Sequence, residues 1–146
     1  MRRSIEPPVA INNLITALAS AQLLVLLASF QVPTRLRWKE DLPKLGPFNA
    51  KLMWTYGAFT VYTIVTWSIL TFALRGDLAA GTSAGLAVAL AIFLFWLARI
   101  ATDAFYFKSD DWPKGPFMQI GHALLNALFA FLCFGYGSIV VWGIIA

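Results

Sequence analysis

The stretch Phe117–Ile145 reads FMQIGHALLNALFAFLCFGYGSIVVWGII and contains no Asp, Glu, Lys or Arg. A helix of about 20 apolar residues crosses the hydrocarbon core of a bilayer, so this run alone is long enough to span one. Three further runs share its character: Val9–Val32, Ala50–Leu74 and Leu78–Arg99. None shows the strict alternation of a barrel strand, and a lipid-exposed backbone must satisfy its own polar groups. That leaves helices. The bulk composition agrees: 60% of the 146 residues are hydrophobic, 12% are charged, and the mean hydropathy is +0.73. A soluble domain of this size cannot hide so much apolar surface.

The expected fold is therefore an all-α integral membrane protein, with four transmembrane helices in an antiparallel up-down bundle forming one domain over residues 1–146. The short connection at Arg75-Gly76-Asp77 makes the second and third spans antiparallel neighbours. The first span is read as retained rather than cleaved. Arg2, Arg3 and Ala17-Leu18-Ala19 imitate a leader, but Pro7, Pro8, Asn12 and Asn13 interrupt the segment and hydrophobicity continues beyond it.

Basic residues set the expected orientation. Arg35, Arg37, Lys39, Lys44 and Lys51 cluster at the first long loop, and Arg99, Lys108 and Lys114 at the other. Only Arg2, Arg3 and Arg75 lie on the opposite side. Loops 33–49 and 100–116 are thus expected in the cytoplasm and both termini outside, as in a bacterial-type inner membrane. The net charge of +4 is matched by anionic lipid headgroups, and no soluble groove or helix is available to present it to nucleic acid.

Both long loops end on nearly the same phrase, D-L-P-K-L-G-P-F at 41–48 and D-W-P-K-G-P-F at 111–117. Glycine permits a sharp change of direction, and proline suits the first helical turn, where amides are unpaired anyway. The phrase reads as a device for returning the chain into the membrane. Its recurrence raises a variant of the fold built from two repeated helical hairpins.

Small residues mark close helix contacts. Gly81-x-x-x-Gly85 in the third span and Gly135, Gly137 and Ser138 in the fourth allow near approach of backbones. Phe129, Phe131 and Phe134 oppose them as a bulky face toward lipid or another subunit. Trp38, Trp54, Trp96, Trp112 and Trp142 suit the two interfacial belts, whereas Trp67 fits neither.

Candidate chemistry is sparse. His122, the only histidine, lies about one turn inside the fourth span, and Asn126 shares its face at i+4. A face continued at helical spacing adds Phe129, Cys133 and Tyr136 or Gly137, and should look into the bundle. Intramembrane polar groups are costly and often functional. His122 with Asn126 is accordingly a candidate for haem, a chlorophyll-type pigment or a quinone; the plainer use is an interhelical hydrogen bond. Arg99 and Asp103 pair at i+4 near the end of the third span, and Gln31 and Tyr56 fall at a similar depth. These four outline a lipid or ligand pocket, with arginine snorkelling as the plainer account. Asp110 and Asp111 read as solvated loop residues.

One cysteine, Cys133, and one histidine exclude an internal disulfide, a multi-cysteine metal site and a bis-histidine haem within the chain. Hydroxyl stripes occur at Asn13, Thr16 and Ser20 and at Tyr56, Thr60, Thr63 and Thr71. They carry no acid, so neither reads as an ion path. No nucleotide loop or nucleophile elbow is present.

The reading favoured by size and composition is a non-catalytic accessory or scaffold subunit of a larger membrane complex, with membrane lipids and other membrane subunits as partners. Two others stand beside it: a haem-, pigment- or quinone-binding redox subunit using His122, and a small lipid-modifying enzyme using His122, Arg99 and Asp103.

Overall fold

The computed structural model describes residues 8–108, 111 and 114–145. All regular structure among them is helical: α1 (Val9–Ser29), α2 (Val32–Arg35), α3 (Trp38–Asp41), a 3₁₀ turn (Leu42–Leu45), α4 (Pro47–Ala73), α5 (Arg75–Ala80), α6 (Ser83–Phe105) and α7 (Pro116–Ile145). Four helices are long and apolar enough to cross a membrane, the first running from Val9 through Arg35. Arg2, Arg3, Pro7, Asp110 and Trp112 lie outside the described residues.

Helix α1 occupies the centre, packing against α4, α7 and α5, while the other extensive contact is α6 against α7. Its inward residues Ile15, Leu18, Ala19, Gln22, Val25 and Leu26 recur at three- and four-residue spacing and are all buried, as one stripe of a packed helix requires. They meet Ile64, Ser68 and Thr71 of α4 and Phe129, Leu132, Cys133, Tyr136 and Ile139 of α7, which are buried as well. The inward face expected for α7 is there, and Phe129 belongs to it. Phe131 and Phe134 point outward, but Phe129 is buried and stacks on Trp96 at 5.3 Å between ring centroids.

The second span joins the third through a helix rather than a bare turn. After α4 ends, Arg75–Ala80 form α5, Gly81 turns the chain with φ +63°, and α6 begins at Ser83. Gly81 and Gly85 therefore do not share one helix face. Gly81 lies against the backbone of Gly143, and Gly85 against the carbonyl of Asp77. Thr82 locks the joint: its hydroxyl donates to Asp77 Oδ1 at 2.8 Å and accepts from the Gly85 amide at 3.2 Å. At its other end α6 continues to Phe105, so residues 100–105, expected in the loop 100–116, are helix.

The repeated phrase does the same work twice. Gly46 and Gly115 have φ +87° and +130°, each stands before the proline that opens a long helix, and each carbonyl accepts the first bond of that helix at 3.0 Å, from Ala50 and Gln119 respectively. In the first copy the Lys44 ammonium lies 2.7 Å from Asp41 Oδ1 and holds that carboxyl below its ordinary range. Gly46, at ψ 156°, occupies a region open essentially to glycine alone, although nothing lies within 4 Å of an added Cβ. Gly46→Ala is therefore expected to cost about 1–3 kcal/mol through backbone strain without a clash. Unfolding of the detergent-solubilised variant checks it; an unchanged midpoint would show the turn to be plastic.

Tryptophans divide between rim and interior. Trp38 packs edge-on against Trp54 with ring centroids 5.2 Å apart, and the Trp142 N–H donates to the Ala79 carbonyl at 2.9 Å. Trp67 leans on Phe95. Trp96, expected in an interfacial belt, is instead 1% exposed in the core: α6 places it toward α7, where Phe129 receives its ring.

Candidate functional site

Helices α6 and α7 bring the two candidate constellations together. Arg99 pairs with Asp103 one turn along α6. The second oxygen of that carboxylate lies 3.6 Å from His122 Nε2 on α7, and the same ring nitrogen is 2.9 Å from Asn126 Nδ2. Arg99, Asp103, His122 and Asn126 thus form one continuous chain across two helices. The sequence places each pair on its own helix; the packing of α6 on α7 joins them.

Burial grades the chain. The Asp103 side chain is 9% exposed and the Arg99 side chain 35%. Asp103 Oδ2 is fully buried and has no hydrogen bond among the described residues, so His122 is the ionisable group that faces it. The Arg99 guanidinium also sits 5.0 Å over the Phe129 ring, where the aromatic face takes up part of its charge. When the Asn126 amide donates, His122 Nε2 is the acceptor and the ring proton resides on Nδ1; a protonated imidazole instead offers an N–H to Asp103.

Two cavities flank it. One of about 510 Å³ lies among α1, α2, α6 and α7, with Arg35, Gln31, Arg99, Gln119 and His122 in its wall. The other, of about 490 Å³, lies between α4 and α6 against α1, and its wall includes Trp38, Trp54, Phe95, Trp96 and Phe129. Arg99, Val32 and Leu125 border both. Of the four residues of the expected pocket, Asp103 lines neither cavity and the other three are divided. Gln31 shares the polar cavity with Arg99 and His122, while Tyr56 borders the aromatic one and is 61% exposed. Asp111 borders the polar cavity too, held by the Lys108 amide at 2.8 Å.

Deeper in the bundle stands a polar cluster that the sequence reading does not single out. Gln22 Nε2 donates to the Tyr136 hydroxyl at 2.7 Å, Tyr136 and Thr71 hydroxyls are 2.6 Å apart, and Thr71 donates to the Trp67 carbonyl at 2.7 Å. Ser68 donates across to the Ala19 carbonyl at 2.9 Å. One signal was present: Gln22 is the lone amide in the middle of an apolar run. Most other hydroxyls of the two stripes, including Thr16, Ser20, Thr60 and Thr63, bond back to their own helix, which satisfies them without a ligand.

Among the described residues no group of three or more His, Cys, Asp or Glu side chains could hold a metal ion. No protein-family model, curated protein or solved structure matches the chain.

Proposed function

We propose that the chain is a multi-pass membrane protein whose four long helices cross in alternating directions, and that it serves as a non-catalytic subunit of a membrane assembly, holding an amphiphile in the cavity beside His122. The alternation is supported by cross-helix contacts. Along the first span (Val9–Arg35) and α7, Leu18 meets Gly135 while Arg35 meets Phe117; along α6 and α7, Leu86 meets Gly143 while Asp103 meets His122. The strongest contacts lie within α1–α4 and within α6–α7, which supports the two-hairpin variant. With the basic loops in the cytoplasm, the polar cavity lies at that leaflet.

The observation that carries the ligand reading is the chain Arg99–Asp103–His122–Asn126, of which Arg99 and His122 stand in the wall of a cavity whose remaining lining is largely apolar, with Asp103 and Asn126 behind them. Such a site takes a polar head in one place and an apolar body beside it. A quinone carbonyl or a lipid headgroup fits these donors. Ligation of haem iron or chlorophyll magnesium through Nε2 would displace that nitrogen from Asn126, which favours the hydrogen-bonded ligands.

Solvent extraction of the protein purified from native membranes in mild detergent, followed by mass spectrometry, tests the reading. A stoichiometric quinone or lipid is expected, reduced by His122→Ala together with Asn126→Ala. A preparation with a Soret or chlorophyll band lost in His122→Ala would instead establish a pigment. No retained amphiphile would remove the proposal. Native copurification tests the subunit assignment separately, and recovery of the lone chain from native membranes would count against it.

A further inference from the structure

We propose that the amphiphile is anionic and that one molecule occupies both cavities, its acidic head against Arg35 and its apolar chain in the aromatic cavity between α4 and α6. This rests on the ligand-holding reading above and adds the charge and the extent of the ligand.

Arg35 carries the argument for charge. Its guanidinium stands 4.6 Å over the Phe117 ring in the wall of the polar cavity. Of the two arginines in this wall, Arg99 is already matched by Asp103; at the same end Arg37 is matched by Glu40 and Lys44 by Asp41. Arg35 has no carboxylate within ion-pair reach among the described residues. A guanidinium carries its donors in a planar fork, and seating one face on an aromatic ring leaves that fork directed at a carboxylate or phosphate. The amides of Gln31 and Gln119 add donors to the same wall. Asp111, the acidic side chain bordering this cavity among the described residues, is drawn to the Lys108 amide.

Adjacency of the cavities carries the argument for extent. Arg99, Val32 and Leu125 stand in the wall of both spaces, so the aromatic cavity adjoins the polar one along these side chains. No acidic residue borders the aromatic cavity among the described residues, and Trp54, Phe95, Trp96 and Phe129 face it. A head held at Arg35 has an apolar space of about 490 Å³ beside it for its chain. The shared head chemistry is a phosphate or carboxylate, supplied by a membrane lipid or by a free anion.

The experiment titrates the full-length protein in uncharged detergent with dodecyl phosphate and with inorganic phosphate, and profiles copurified lipids by negative-ion mass spectrometry. Dodecyl phosphate is expected to bind at least about tenfold more tightly than inorganic phosphate. Arg35→Gln should lose the acidic amphiphile, and Arg35→Lys should keep part of it. Val61→Trp, or Thr60→Trp if the first variant is poorly folded, should fill the aromatic cavity and abolish the preference for the long chain. Far-UV dichroism and melting establish that each variant is folded. A neutral quinone or zwitterionic lipid retained equally by wild type and Arg35→Gln would overturn the anionic assignment and leave the ligand-holding reading intact. Equal affinity for the two phosphates, or a preference that survives cavity filling, would overturn the single-molecule arrangement. Complete absence of bound amphiphile would overturn both readings.

Discussion

Replacing Arg99 with methionine is expected to destabilise the protein by about 3 kcal/mol, the lower end of the range for breaking a buried ion pair from one side. The substitution leaves the Asp103 carboxylate, 9% exposed, with His122 at 3.6 Å as its remaining ionisable neighbour among the described residues. Asp103→Leu should cost less, because the arginine left behind is 35% exposed, lies over Phe129, and can move its head toward water. The double variant Arg99→Met/Asp103→Leu should be more stable than Arg99→Met alone, since it removes both charges and fills their space with apolar atoms. Unfolding of all three variants in the same detergent measures the coupling directly. Additive losses in the double variant would mean that the two side chains act separately and that their pairing contributes nothing.

The second large effect belongs to the joint between α5 and α6. A Cβ on Gly85 would lie 2.3 Å from the Asp77 carbonyl oxygen and 2.8 Å from the Leu78 amide nitrogen. Both are backbone atoms fixed by α5, so no side-chain rotation relieves the overlap. Gly85→Ala is expected to cost about 3 kcal/mol, the upper part of the usual overpacking range, and to loosen the Thr82 cap that bonds the Gly85 amide. Gly76→Ala is the matched control at the same joint: its added Cβ meets nothing within 4 Å, and replacing a helical glycine there should be neutral or stabilising by about 0.5–1 kcal/mol. Gly135→Ala should fall between them, because its 2.3 Å contact is with the end of the Leu18 side chain, which can shift where backbone cannot. Equal melting of the Gly85 and Gly76 variants would show that α5 moves freely against α6.

Residue spacing along one helix was legible in the sequence, while residue proximity between helices was not. The i+4 pairs Arg99–Asp103 and His122–Asn126 follow from helical geometry alone, and the structure contains both contacts. Their union does not follow, because it depends on the register of α6 against α7. Trp96 shows the same limit. Its sequence position near the end of an apolar run suits an interfacial ring, yet the rotation of α6 buries it against Phe129. Gly81-x-x-x-Gly85 looked like one face until Gly81 adopted a left-handed turn and split the segment. Gln22 lacked any near-sequence partner, and its hydrogen-bonding partners come from α4 and α7.

The helical class, the four long apolar segments and the two glycine-proline starts are written in the chain, because chain solvation and local backbone preference act over a few consecutive residues. Tertiary structure alone decided that one polar chain spans α6 and α7, that Arg99 borders two cavities, and that Gly85 rests on a carbonyl. Those outcomes depend on how far each helix slides and turns against its neighbour. Helices that are apolar on every face leave that choice to side-chain shape and a few polar contacts, which are matched only when distant segments meet.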